Sequence, residues 1–191
     1  MAFELGHDPL AWTRLLLAQS PRHMAVLNLA ANRAGWGSPL LARRARGIAL
    51  HESFGSIAAQ GAELSAAGGQ LRVHRVNGAI DCGSAVNPDI IAQQMEGAVV
   101  FALSAALHGQ KDIHQGVVQQ KNFTSYALIG LAQSPQVNAY IVPSTRHPGG
   151  VNEPGVPPLA PAVANALFAL SGKRFRSLPL QGAEAPAAAP A

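Results

Sequence analysis

The 191-residue sequence has one cysteine, few charged residues and few aromatic residues. Because a disulfide needs two thiols and an iron–sulfur cluster needs several, the lone Cys82 excludes both an intrachain disulfide and a cysteine-ligated cluster. Charged residues make up 13%, about half the usual share of a soluble domain, and aromatic residues make up 5%. Alanine and glycine replace them, which indicates close backbone packing or a large covered interface.

Two basic clusters carry most of the net charge of +4, Arg43–Arg46 and Lys173–Arg176. Neither is interleaved with stacking aromatic residues, and no nucleic-acid-binding motif accompanies them, so no nucleic-acid partner is predicted. The first cluster is expected in a solvated loop and the second near the C-terminus of a helix, which favours cations.

Long apolar runs are also absent. Ala98–Leu107 and Leu159–Leu170 are both shorter than the stretch of about 20 residues that spans a bilayer. The first residues lack the basic and apolar parts of a signal peptide and resemble the middle of a longer protein. We expect no direct membrane insertion, and the sequence leaves the compartment undetermined, cytoplasmic or periplasmic.

The spacing of apolar residues predicts an α+β (mixed α/β) domain over residues 1–180, beginning with a helical pair at 1–34. Asp8-Pro9 and Ser20-Pro21 are both helix-start signals, with a capping side chain followed by proline at the first helical position. Gly35 is expected to end the second helix.

Residues 35–46 are predicted to form a loop, 47–180 a mixed α/β core, and 181–191, which are rich in alanine and proline, a disordered tail. The core is expected to contain a β-hairpin over 56–80, a buried helix from near Asp89 to Leu107, strands at Gly116–Val118 and Val137–Val142, and a last helix, Ala162–Leu170, closed by Gly172.

Between the last strand and the last helix lies a loop rich in glycine and proline, Pro143–Pro161, with Glu153 at its centre. Glycine on one side and Pro154-Gly155 on the other allow the backbone to press against a ligand and hold the carboxylate in place. A carboxylate held in this way can act as a general base. An ordinary glutamate in a surface turn is the alternative that these residues leave open.

Gln93, Gln94 and Glu96 lie at the start of the predicted buried helix. Side-chain amides and the N–H groups of a helix start are good partners for phosphate or for the edge of a heterocycle. Ordinary helix-start polarity explains the same residues equally well.

The sequence predicts no metal held by side chains. Among its seven histidines, no two are spaced i, i+4 as in a helical zinc site. Cys82 is interpreted as a small buried apolar residue, with a nucleophilic thiol as the alternative.

An ordered series of motifs from about Leu5 to Leu180 resembles the molybdenum hydroxylases of the xanthine dehydrogenase/aldehyde oxidase superfamily. The chain looks most like the C-terminal part of the molybdopterin-binding large subunit in isoquinoline 1-oxidoreductases and related bacterial aldehyde dehydrogenases. The motifs include Asp8-Pro9-Leu10-Ala11, Ala34-Gly35-Trp36-Gly37, His51-Glu52-Ser53-Phe54-Gly55-Ser56, Asp81-Cys82-Gly83, Gln94-Met95-Glu96-Gly97 and Val151–Pro161.

The resemblance implies a second molybdopterin-binding domain, with the metal held by the pterin dithiolene rather than by side chains. Glu153 matches the family's base, which takes a proton from a molybdenum-bound hydroxyl as that oxygen attacks an electron-poor carbon and hydride passes to a sulfido ligand. Gln94 matches the glutamine that contacts the pterin, and Gly97 and Gly150 are expected to bind the cofactor too. The cofactor is expected in its cytosine dinucleotide form.

The resemblance also implies partners: the remaining portion of the large subunit, a small [2Fe–2S] subunit that carries the iron–sulfur clusters, and a small-molecule substrate, either an N-heteroaromatic or an aldehyde. The isolated chain is therefore expected to be inactive. Asn152 departs from the family motif, which has glycine there, and its side chain either narrows the pocket or displaces Glu153.

Two other functions stay open at this point. One is a catalytically silent truncated fragment, or a non-enzymatic interaction domain. The other is a binding module for anionic ligands, which would use the arginines of Arg43–Arg46.

Overall fold

The structure is a computed structural model that describes residues 2–67 and 70–180. Over these residues, two pairs of helices enclose a four-stranded sheet, so the fold has three layers. The predicted mixed α/β fold is confirmed. The predicted disordered tail, 181–191, lies outside the described residues.

Both N-terminal helices begin at the predicted start signals, α1 at Pro9–Leu16 and α2 at Pro21–Ala34. The Asp8 carboxylate accepts a hydrogen bond from the N–H of Ala11 at 2.9 Å, which satisfies one of the free donors of the first turn. Helix α2 ends at Gly35, whose φ of 70° lies in the left-handed region. The predicted helical pair is confirmed.

Three long strands follow, β1 (Arg44–Ser53), β2 (Ser56–Ala67) and β3 (Gln70–Asp81). Each pairs antiparallel with the next, and β2 and β3 form the predicted hairpin. The sequence predicts a loop as far as Arg46, whereas β1 begins two residues earlier. Alternating burial along the first half of β1 explains why the chain is already extended there.

Helix α3 (Pro88–His108) begins where the Asn87 side chain accepts the N–H of Ile90 at 3.2 Å. By length and composition alone it could cross a membrane, and 39% of its most apolar 18-residue window is buried. It packs against the last helix and the last strand of the chain. One such helix is weak evidence for a membrane span, because core helices share the same composition.

The chain then forms a small exposed hairpin, β4 (Ile113–His114) with β5 (Val117–Val118). Strand β6 (Gln136–Ile141) joins the main sheet parallel to β3, which gives the order β1-β2-β3-β6. Helix α4 (Leu159–Ser171) ends at Gly172 as predicted, although it begins earlier than Pro161. A proline is accommodated there because the N–H groups of the first turn have no partner within the helix.

The two faces of the sheet have separate cores. Leu27 and Ile57 pack with α1 and α2 on one face, and Val76 and Leu167 pack with α3 and α4 on the other. Helix α4 lies so close to β1 that a side chain at Gly47 would overlap its backbone. Both faces are therefore closed, and the ends of the strands are left to carry a site.

Candidate functional site

The site loop, defined here as residues 142–158, connects β6 to α4 and folds over one end of the sheet. Its Gly149 N–H donates to the carbonyl of Cys82 at 2.8 Å, and its Gly150 N–H donates to the carbonyl of Phe54 at 2.8 Å. The Ser56 hydroxyl donates to the carbonyl of Gly150 at 2.6 Å. These bonds fix the first half of the site loop to the β1–β2 turn and to the end of β3.

Two glycines permit this close approach. A Cβ at Gly149 would lie 2.5 Å from the Ser56 oxygen, and one at Gly150 would lie 2.9 Å from the Phe54 Cβ. Either contact is closer than real Cβ atoms tolerate, so a side chain would lift the loop off the sheet. Gly150 thus has a packing role, and its role in binding a cofactor stays a prediction.

Glu153 begins a tight turn at the middle of the site loop. The N–H of Val156 donates to the carbonyl of Glu153 at 2.8 Å, which closes a four-residue β-turn. The side chains of Glu153 and Asn152 are both exposed. The turn therefore holds the backbone of Glu153 while its carboxylate stays accessible.

The second half of the site loop is held by Gln60 of β2. Its amide nitrogen donates to the carbonyl of Gly155 at 2.7 Å, and both groups are buried. A Cβ at Gly155 would lie 2.9 Å from Ala98 Cβ and 3.1 Å from Met95 Sδ, so this part of the loop also packs on α3.

Helix α3 presents its predicted cofactor-binding residues to solvent. Gln94 and Gly97 are exposed, and the residues that follow them, Met95 and Ala98, pack against Gly155. An open hollow of about 460 Å³ beside them is lined by Gln93, Glu96, Gly97, Val100, Pro135 and Val137. The structure thus brings Gly150 and Glu153 onto one loop and places that loop against the helix that carries Gln94 and Gly97.

A buried ion pair supports the end of the sheet under the site loop. Asp81, 4% exposed, accepts Arg22 Nε at 2.6 Å and the N–H of Gly83 at 2.9 Å. Burial alone would raise the pKa of Asp81, but these hydrogen bonds hold it below its ordinary value. Arg22 also donates to the carbonyl of Gly55 at 2.8 Å.

This ion pair was not predicted from the sequence. Asp81 lies within a motif of the family resemblance, but Arg22 is 59 residues away from it, and no local pattern indicates that they meet. The available signal was weak: a charged residue directly after the short apolar stretch Gly78-Ala79-Ile80 at the end of β3.

At the other end of the sheet, Glu63 is 7% exposed and binds several arginines. Arg44 donates at 2.7 Å and Arg75 at 3.0 Å, and Arg46 lies 3.7 Å away. Arg44 and Arg46 are therefore strand residues committed to a buried carboxylate, and the expectation of a solvated loop for them is wrong. Arg43, with a φ of 62°, is the exposed member of that run.

Cys82 is 2% exposed, and burial raises the pKa of its thiol. That direction opposes formation of the nucleophilic thiolate and favours the interpretation as a packed residue. Within residues 2–67 and 70–180, no three His, Cys, Asp or Glu side chains are grouped so that they could hold a metal ion.

A cavity beside β1 contains none of the predicted site residues. It measures about 560 Å³, lies between α1 and α4, and is lined by Trp12, Trp36, Phe168 and Arg46 among others. The candidate site is the site loop and not this cavity, because the site loop carries Glu153 and packs against α3.

Residues 49–135 match the family model of the molybdopterin cofactor-binding domain. This segment of the chain resembles a molybdopterin-binding domain. The resemblance to the molybdenum hydroxylases that its motifs indicated is confirmed by this match and by the relatives that follow.

The chain is 32% identical over 188 residues to the beta subunit of the isoquinoline 1-oxidoreductase of Brevundimonas diminuta, covering 96% of this chain and 24% of that protein. It is 30% identical over 200 residues to a nicotinate dehydrogenase subunit of Pseudomonas putida, covering 94% and 17%. The chain thus spans about a quarter or less of the length of these relatives.

Among solved structures, the aldehyde oxidoreductase of Desulfovibrio gigas superposes with a TM-score of 0.57 and 20% identity. The match covers 68% of this chain and 15% of that one. At this identity the likeness concerns the fold alone.

Proposed function

We propose that this chain is the C-terminal molybdopterin-binding portion of a molybdenum hydroxylase that oxidises N-heteroaromatics or aldehydes, with Glu153 as the base. One observation carries the proposal. The turn that begins at Glu153 is held between two anchors on the sheet, at Gly150 and Gly155, while the carboxylate stays accessible. A base needs this combination, because it has to reach a proton from a fixed position.

The exposed surface of α3 fits a pterin cofactor. Gln94 offers an amide donor and acceptor to the edge of a heterocycle, and nothing within 4 Å would meet a Cβ at Gly97, so a ligand can approach the helix backbone there. We assign Gln94, Gly97 and Gly150 to cofactor binding, in the cytosine dinucleotide form. When bound, the molybdenum cofactor supplies the redox chemistry, and this chain orients it and holds the base.

Glu153 accepts the proton at its carboxylate in this proposal. Because the side chain is exposed in this chain, water is excluded only when the remaining large-subunit portion covers the site loop. The Asn152 side chain is exposed beside it and is placed to restrict the approach of substrate.

Exposed apolar side chains support an assembly with other polypeptides. Phe101 is 67% exposed, Phe123 82% and Leu131 94%. Apolar surface of this kind marks interaction sites. We propose that it contacts the rest of the large subunit, and that a small [2Fe–2S] subunit carries electrons away, so the isolated chain does not turn over.

The same apolar surface also fits a second function, a non-enzymatic interaction domain or a silent fragment. The neighbouring genes discriminate between the two: the missing large-subunit portion and a two-cluster iron–sulfur protein indicate a split enzyme. Metal and pterin analysis of the natively purified chain is the direct test. Molybdenum that co-purifies with further polypeptides supports the enzyme, and a lone metal-free chain supports the fragment.

Glu153→Gln in the complete assembly tests the base. The amide keeps the size of the side chain but cannot take a proton, so turnover falls by about 10²-fold or more, the contribution of a general base. Molybdenum content stays unchanged. The control is Glu4→Gln, another exposed carboxylate near the far end of α4, which leaves turnover unchanged. Loss of cofactor in Glu153→Gln would instead identify a structural role.

A further inference from the structure

Gln60 lies on β2 beneath the site loop and is fully buried. The side chains around it are apolar: Ala58 and Ile80 lie on the same face of the sheet, and Met95 of α3 packs on them. A leucine or methionine would suit such surroundings better than an amide does. The amide therefore needs an explanation beyond packing.

The hydrogen bonds of this amide are incomplete. Its nitrogen donates to the carbonyl of Gly155 at 2.7 Å, while its oxygen is buried and has no partner among the described residues. Burying an unpaired acceptor is unfavourable, and such groups are concentrated where a function requires them. Among the described residues, the one hydrogen bond that the Gln60 side chain makes is to the site loop.

That bond lies on the C-terminal side of Glu153. The carbonyl of Gly155 belongs to the turn closed by the bond from Val156 N–H to the Glu153 carbonyl. The other sheet anchors are at Gly149 and Gly150, on the N-terminal side. Without Gln60, the C-terminal side of the turn would lose its hydrogen bond to the sheet and would keep only its packing on α3 and its connection to α4.

We infer that Gln60 is a positioning residue that sets the orientation of Glu153 by clamping the carbonyl of Gly155. The catalytic meaning of this inference rests on the proposed function, whereas the clamp itself rests on the hydrogen bond. Gln60 acts through the loop and not on the substrate, because its side chain is buried under the turn.

Two variants test the clamp by amide hydrogen exchange at Val156 in the 191-residue chain. Gln60→Met keeps the volume but removes the donor, so Val156 exchanges about tenfold faster, as expected for the loss of one hydrogen bond. Gln60→Glu donates only while it is protonated. Since burial raises the pKa of a carboxyl group, Val156 stays protected at about pH 5 and loses protection at about pH 8, after correction for the intrinsic exchange rate.

The control is Asn77→Ala, which removes another buried amide, one that accepts from Asn138 at 3.1 Å on the opposite face of the sheet. In Asn77→Ala, the exchange rate of the Val156 amide, divided by the rates of the β2 amides in the same protein, is expected to equal the wild-type value. If Val156 exchange is unchanged in Gln60→Met and independent of pH in Gln60→Glu, the inference is overturned. If Gln60→Met does not fold, the pH response of Gln60→Glu decides alone.

Kinetics of the complete enzyme separate this inference from the proposed function. Gln60→Met is expected to lower kcat about tenfold while KM and molybdenum content stay unchanged, because a misplaced base affects the chemical step and not substrate binding. Faster Val156 exchange with unchanged kcat would retain the clamp and reject Glu153 as the base.

Discussion

Each end of the central sheet buries a carboxylate that binds arginine, but the two carboxylates differ in the number of arginines that surround them. Asp81, at the end under the site loop, binds one arginine, Arg22. Glu63, at the opposite end, lies within 4 Å of three: Arg44, Arg46 and Arg75. The first arrangement is balanced in charge, and the second leaves an excess of positive charge.

The arrangements also differ in what they connect. The guanidinium of Arg22 donates to the carbonyls of Gly55 and Asp81 as well as to the carboxylate, so it joins α2 to the β1–β2 turn and to the end of β3. The cluster around Glu63 joins side chains of β1, β2 and β3, and its Arg46 also donates to the carbonyls of Gly35 and Ser38 before β1. The arginine at the site end thus binds the backbone on which the site loop packs, whereas Arg46 at the other end binds the backbone of the loop before β1.

The comparison shows why a site loop lies at only one end. Backbone groups fixed by Arg22 and Asp81 leave the Phe54 and Cys82 carbonyls in place to accept the Gly149 and Gly150 N–H groups. The bonds around Glu63 are mainly between charged side chains, which adjust to one another and respond to salt.

Asp81→Ala is expected to lower the free energy of unfolding more than any other variant that tests this difference. It leaves the Arg22 guanidinium, with a side chain only 22% exposed, without its partner. Loss of one partner from a buried pair costs about 3 kcal/mol, measured as the free energy of unfolding in urea. The site loop, which packs on this end, should become sensitive to protease in the same variant.

The matched control is the double variant Arg22→Met/Asp81→Ala, which removes both charges and should recover part of the loss. A single variant that costs less than about 1 kcal/mol would show that this end is held by the sheet alone.

Glu63→Gln tests the opposite end and should cost less, about 2 kcal/mol, because the amide still accepts one hydrogen bond. Its loss leaves three arginines close together without an anion. Added salt should therefore restore much of the stability of Glu63→Gln and little of that of Asp81→Ala. Equal salt responses in the two variants would remove the distinction between a balanced end and a charged end.

The local elements of the fold could be predicted, because their causes lie within a few residues. Asp8 caps its own helix, and Gly35 and Gly172 end theirs in left-handed conformations. The Gln60 clamp could not be predicted, since it joins residues 95 positions apart. A glutamine within an apolar strand pattern does not show from the sequence whether it is buried or which group it binds.

The candidate site was predictable only in part, and for the same reason. The glycines around Glu153 indicate a loop that approaches other backbone closely, and this is what Gly149 and Gly150 do. What they approach, Phe54 and Ser56, depends on where the sheet ends. The exposure of Glu153 was not predictable either, because it depends on which other chain segments cover the loop.

The smallest expected effect concerns pH and His74, which lies at the charged end and is within 2.8 Å of the Ser65 hydroxyl. Burial lowers the pKa of His74, and so do Arg44 and Arg72, against the opposite effect of Glu63. The folded state therefore binds a proton less readily than the unfolded state, whose histidine titrates near about pH 6.5. The contribution of His74 to the free energy of unfolding is therefore fully present above that pH and is lost as the pH falls through the pKa of the folded state.

Asp81 and Glu63 also have lowered pKa values, so their contribution is present above the unfolded carboxyl pKa of about 4 and is lost as the pH falls further. Between about pH 7.5 and pH 5.5, only the histidine contribution should change. The urea midpoint of unfolding should be lower at pH 5.5 than at pH 7.5 in the wild type, and this difference should be smaller in His74→Gln. An equal fall in both proteins would mean that the excess positive charge around Glu63 does not extend to His74.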